Sequence, residues 1–236
     1  MLKKMLWLSF ILVVMVVVAT GCGKKDEAVI EEESQPDLSA LSTYLVNVEA
    51  STVAWAGETQ TVGEQNDGVI PVKSGQIIVK ENKILSADLS LDMAGVVVQD
   101  LVGQALSDLE NYLKSDSFFD VVNYPEARLI INDAQLISEE NSTDYNMTAD
   151  LIIKNKTNSV SFPAKVIMGA DSLTMTLEFD IDRSLWGIVD AEVEETLDSN
   201  FTFTIDLQAD LPVFEVQATE GENTAKEVPA ESNTAE

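Results

Sequence analysis

Leu173-Thr174-Met175-Thr176-Leu177-Glu178-Phe179-Asp180-Ile181 alternates apolar and polar side chains without a break. Successive side chains of an extended chain point to opposite faces, so this stretch is a strand with one apolar and one wet face. Phe201-Thr202-Phe203-Thr204-Ile205-Asp206-Leu207-Gln208 repeats the pattern. Weaker alternation over 53–59, 69–80, 84–93, 127–137, 147–153 and 160–168 brings the expected total to about eight strands. Glu81-Asn82-Lys83 and Gly169-Ala170-Asp171-Ser172 separate neighbouring strands as hairpin turns. Strands with one apolar face either stack as a sandwich or close into a barrel, and closure is favoured because it leaves no edge exposed. The polar face carries Glu178, Asp180, Asp206 and Asp210, which suits water rather than the lipid-facing side of an outer-membrane barrel.

The period changes once. Leu101, Ala105, Leu109 and Leu113, with Val102 and Leu106 beside them, recur at helical spacing and predict a short amphipathic helix over 100–113. Ser117-Phe118-Phe119-Asp120-Val121-Val122 and Tyr124-Pro125 follow, and the proline biases Tyr124 to an extended conformation. A second irregular connection, 185–199, carries Trp186, Gly187 and five acidic residues. The expected class is therefore all-β, an eight-stranded antiparallel barrel with a short helix and an irregular cap.

The chain begins with Lys3 and Lys4, continues with an apolar run over 5–19, and reaches Thr20-Gly21-Cys22. A basic start, a greasy middle too short to span a membrane, and small residues before a cysteine describe a lipoprotein leader, here 1–21. Lipidation of Cys22 is expected, and Cys22 is the one cysteine in the chain, so no internal disulfide competes for it. Two or three acyl chains would hold the protein firmly to a membrane of the bacterial cell envelope, the outer membrane being favoured because Gly23 is not an inner-membrane retention residue. Residues 22–43 are polar and acidic and read as a tether; 44–214 form one domain. Residues 215–236 read as a disordered acidic tail, with Val228 the one large apolar side chain after residue 216.

A net charge of -27 repels nucleic acid, and the two arginines, Arg128 and Arg183, form no basic stripe. No nucleic-acid partner is expected. Histidine is absent from all 236 residues, which removes the usual triads, general bases and zinc sets, and no cofactor motif is present. Glu178, Asp180 and Asp182 share one strand face but lack calcium-loop spacing, so they read as a solvated outer face. The outward direction of these carboxylates also counts against a carboxylate-dependent hydrolase; no enzymatic activity is expected. The apolar side is rich in aromatic residues and methionine, including Trp55, Met93, Met147, Phe162, Met175, Phe201 and Phe203. Methionines within aromatic walls suit a long, disordered apolar ligand, and the same residues also suit a plainly packed core.

Several blocks, in order, resemble the YceI-like family. They are Val53-Ala54-Trp55-Ala56-Gly57, Val72-Lys73-Ser74-Gly75, and Tyr112-Leu113-Lys114-Ser115-Asp116-Ser117-Phe118-Phe119-Asp120-Val121 with Tyr124-Pro125. Ala149-Asp150-Leu151-Ile152-Ile153-Lys154, Val160-Ser161-Phe162-Pro163-Ala164, Asp182-Arg183-Ser184-Leu185-Trp186-Gly187 and the strand from Phe201 complete the series. The resemblance implies a lipocalin-like exported barrel that binds a polyisoprenoid or similar lipid, with the helix and the Phe118-Phe119 segment covering one mouth. It implies Trp55, Phe118, Phe119, Phe162, Phe179 and Trp186 as pocket residues and Arg183 as a headgroup contact; a buried or surface ion pair with an acidic neighbour is the other reading of Arg183. The family commonly carries histidines where this chain has Asp67 and Tyr112, so headgroup contacts made through those rings are not implied here. A solid barrel acting as a structural or interaction module is the alternative.

Overall fold

A computed structural model describes residues 41–59, 65–138, 143–189 and 197–212. The expected leader, Cys22, most of the tether and all of the tail lie outside the described residues. Within them the order is β1 (Leu41–Val46), β2 (Thr52–Thr59), β3 (Gln65–Val69), β4 (Val72–Lys80), β5 (Lys83–Asp92), β6 (Val97–Val98), α1 (Gly103–Lys114), β7 (Glu126–Ser138), β8 (Thr143–Ile153), β9 (Lys156–Met168), β10 (Ser172–Asp182) and β11 (Leu197–Asp210).

These strands make an eight-stave closed antiparallel barrel, as the alternation predicts, and not a sandwich. β1 and β2 are two halves of one kinked stave, because both pair with β11: Val46 faces Ala209, and Thr52 faces Asp206. The kink is held by Asn47, whose N–H donates to the Gln208 carbonyl at 2.8 Å and whose side chain accepts from Glu49 and Ala50. β3 and β4 form the second kinked stave, bent at Ile70-Pro71, where the Asp92 N–H reaches the Pro71 carbonyl at 2.9 Å. β5, β7, β8, β9, β10 and β11 follow in chain order, and β11 returns to β1 and β2. Closure satisfies both strand edges that an open sheet would leave bare.

β10 displays the pattern best. Leu173, Met175, Leu177, Phe179 and Ile181 are buried, while Thr174, Thr176, Glu178 and Asp180 are exposed. The inward residues of all eight staves merge into one core that includes Ile77, Leu89, Leu129, Met147, Val166, Met175 and Ile205. Outside, the acids of β10 and β11 stand opposite threonines. The Thr202 hydroxyl donates to Asp180 at 2.6 Å, Thr204 to Glu178 at 3.2 Å and Thr176 to Asp206 at 2.7 Å. Such pairs avoid the repulsion of like charges facing across a ladder, so the carboxylates serve the barrel's outer wall.

Two local findings differ from the sequence expectation. α1 starts at Gly103, three residues later than expected, because Val102 is extended and Gly103 has φ of +65°. Val102 and Ala105 face solvent, and the contact face is narrower: Leu113 is buried, with Leu106, Leu109 and Tyr112 leaning on the core. The Glu81-Asn82 turn is a two-residue hairpin between Lys80 and Lys83 with positive φ at both residues, +51° and +59°. That geometry favours Asn-Gly. Replacing the pair by Glu81→Asn and Asn82→Gly is therefore expected to raise stability by about 0.5–1 kcal/mol, read as a higher midpoint in thermal unfolding.

Candidate ligand-binding interior

One end of the barrel is covered by the chain between β5 and β7. Asp92 caps a short 3₁₀ turn, Met93–Gly95, by accepting from the Ala94 and Gly95 N–H groups at 3.1 and 3.3 Å. Met93 is thereby placed in the interior, and the chain crosses the mouth. β6 pairs with β3, and α1 is tied to it by Glu110, whose carboxylate accepts from the Val98 N–H at 3.2 Å. After α1 the chain doubles back: the Phe119 N–H donates to the Leu113 carbonyl at 3.1 Å and the Asp120 N–H to Ser115 at 2.7 Å. This fold-back drives Phe118 and Phe119 into the barrel, where both are buried. Lys154, in the turn between β8 and β9, fastens the segment by donating to the Asp116 and Phe118 carbonyls at 3.3 and 3.1 Å.

Phe118 is the centre of an aromatic cluster at this mouth. Its ring meets Phe119 edge-on at 4.7 Å, Tyr112 at 5.4 Å and Phe201 at 5.6 Å, and Phe201 stacks on Trp55 at 5.8 Å. Arg183 lies 6.0 Å over the Phe118 ring and donates to the Ile188 carbonyl at 2.6 Å. Its guanidinium is buried inside the cap, where cation–π attraction and hydrogen bonding offset the cost of removing the charge from water. Trp186 is buried beside it and donates from its indole N–H to the Leu151 carbonyl at 3.0 Å. The chain leaves this turn at Gly187, whose φ of +71° is the left-handed conformation glycine adopts without strain.

Deeper in the barrel lies an internal cavity of about 10 Å³ bounded by ten side chains, all apolar, among them Met93, Leu129, Leu151, Phe179, Phe203 and Ile205. That is the room of about one water molecule. Phe179 stacks on Phe162 at 5.0 Å and meets Phe203 at 5.6 Å. Of the residues named from the sequence, Phe179 lines the cavity and Phe162 backs it, while Trp55, Phe118, Phe119, Trp186 and Arg183 belong to the mouth cluster or its turn. The aliphatic lining, Ile70, Leu91, Leu129, Leu151, Ile153 and Ile205, was not singled out. Alternation marks these residues as inward but does not distinguish cavity wall from ordinary core.

Asp182 caps the Arg183–Trp186 turn, accepting from the Ser184 N–H at 2.9 Å. Hydrogen bonds from the Ser184 hydroxyl and then its N–H hold the Asp182 carboxyl below its ordinary value of 3.8. A depressed folded-state value stabilises the fold above the unfolded value, and that stability is lost as pH falls through the folded one. Asp182→Asn is therefore expected to lower the urea midpoint at neutral pH, with the difference from wild type closing as the pH is taken below 3.8.

Comparison with known proteins agrees with this architecture. The family profile described as the YceI-like domain matches residues 44–209. Among solved structures, Burkholderia cenocepacia BcnA superposes with a TM-score of 0.59 at 20% identity, covering 70% of this chain and 99% of BcnA. A Campylobacter jejuni YceI protein gives a TM-score of 0.45 at 17% identity, covering 66% of this chain and 85% of that one. No curated protein matches the chain.

Proposed function

The chain belongs to the YceI-like family, and from that premise we propose that its barrel binds a long apolar lipid, a polyisoprenoid or fatty chain, without catalysing a reaction. The observation that carries the reading is the composition of the interior: ten apolar side chains and no polar one surround the cavity, and the mouth above it is built from aromatic rings. A greasy chain placed there meets no unpaired polar group. Burial of its tail would supply about 25 cal/mol per Å² of apolar area removed from water.

The cavity of about 10 Å³ is far smaller than such a tail. Binding therefore requires side chains to move apart, with Met93 well suited because thioethers repack at little cost. The lipid on Cys22 would hold the barrel at a membrane of the cell envelope, with the outer membrane favoured. The same small volume favours a second reading, a packed barrel that presents its surface to another envelope component.

Organic extraction and native mass spectrometry of the full chain carrying Cys22→Ser distinguish the two. Lipid binding in the barrel predicts a co-purifying or added polyisoprenoid at one per chain, and less of it in Ala127→Val, which narrows the cavity. Equal lipid content in the two chains places it outside the barrel, and a chain that takes up no lipid supports the packed module.

A further inference from the structure

We infer that the apolar ligand passes through the barrel wall between the upper halves of β9 and β10, and not through the capped mouth; this rests on the lipid-binding reading above. The β9–β10 ladder is short. It runs from Met168 opposite Leu173 to Ala164 opposite Leu177 and stops, whereas β8–β9 pairs continuously from Thr143 to Ile153, and β10–β11 from Ser172 to Asp182. The next β9 residue is Pro163, which has no N–H to give to a neighbouring strand. Beyond it, β9 and β10 run on side by side without a ladder between them.

What joins the two strands there is side chains. Phe162 and Phe179, the facing pair if the register continued, stack at 5.0 Å. Above them the Arg183–Trp186 turn leans onto β9 through the Asn158 amide, which donates to the Leu185 carbonyl at 3.3 Å. Side-chain contacts of this kind rearrange through rotamer changes, whereas parting a laddered pair of staves breaks a row of backbone hydrogen bonds. Immediately inside the split is the cavity, because Phe179 lines it. Immediately outside, Leu185, whose carbonyl accepts from Asn158 of β9, is more than half exposed and offers an apolar threshold. The mouth, by contrast, is held by the Lys154 and Glu110 hydrogen bonds and the packed Phe118 cluster.

Two welds on the outer wall test the route in the full chain carrying Cys22→Ser, which has no other cysteine. Ser161→Cys with Asp180→Cys closes the split, by disulfide or by a short bismaleimide. Ser161→Cys with Thr148→Cys joins β9 to β8 instead, where the native hydroxyls stand 3.1 Å apart in an intact ladder. The probe is geranylgeraniol delivered from phosphatidylcholine vesicles, and the readout is its rate of uptake. The β9–β10 weld is expected to slow uptake at least tenfold, with dithiothreitol restoring the disulfide form, while the β8–β9 weld leaves it unchanged. Phe162→Leu, which removes the stacked ring, is expected to accelerate uptake. Equal rates in the welded and unwelded chains, equal slowing by both welds, or an unaltered rate in Phe162→Leu would overturn the portal while leaving lipid binding in place. Absence of uptake by the unwelded chain itself overturns lipid binding and the portal with it.

Discussion

Gly68→Ala is expected to destabilise the barrel by about 3 kcal/mol and to disturb the mouth as well. A Cβ at position 68 would fall 2.0 Å from the Val97 carbonyl oxygen and 2.8 Å from the Trp55 indole nitrogen. Both atoms belong to one contact, since the Trp55 indole N–H donates to that carbonyl at 3.3 Å. The methyl cannot be accommodated by turning a flexible side chain. It must push β6 off β3 or move Trp55, and Trp55 carries Phe201 and through it Phe118. The expected signature is a lower urea midpoint together with altered tryptophan fluorescence. Wild-type stability in this variant would mean that β6 is not docked as described.

Phe118→Ala is expected to cost about 3–5 kcal/mol, the range for removing a fully buried ring from a core. Its ring is 1% exposed and touches three other rings and the Arg183 guanidinium. Truncation leaves a void under the cap and strips Arg183 of the aromatic face that helps to offset its burial. Phe118→Leu should recover part of the loss, because it refills volume without restoring the ring contacts. Chemical denaturation of the three chains provides the measurement, and a loss below about 1 kcal/mol for the alanine variant would show that the segment is not packed in the barrel.

Much of this architecture can be read from local pattern, for reasons visible in the strands themselves. β10 and β11 alternate strictly because one face meets a closed core and the other meets water, so class and face are both legible. Pro125 and the helical spacing before it likewise mark the change of path over the mouth. β1 is harder to see, since Tyr44 is its one buried residue and its role is to close the ring between β4 and β11. Closure is a long-range property that no local period records. The same holds for the site: Trp55, Phe118 and Trp186 stand out by size, but their gathering at one mouth depends on the fold-back after α1. The volume left inside depends on all eight staves together. The missing family histidines also gain a location. Tyr112 packs its ring on Phe118, and Asp67 precedes the glycine that admits Trp55, so both positions border the aromatic cap.

The central claim is that an apolar chain lies inside the barrel, and methyl NMR of the full chain carrying Cys22→Ser with geranylgeraniol tests it most directly. The account predicts through-space contacts from the prenyl methyl groups to Met93, Leu129 and Ile205, residues that line the cavity. Contacts confined to exposed methyls such as Val102 and Val122, or none at all, would contradict it.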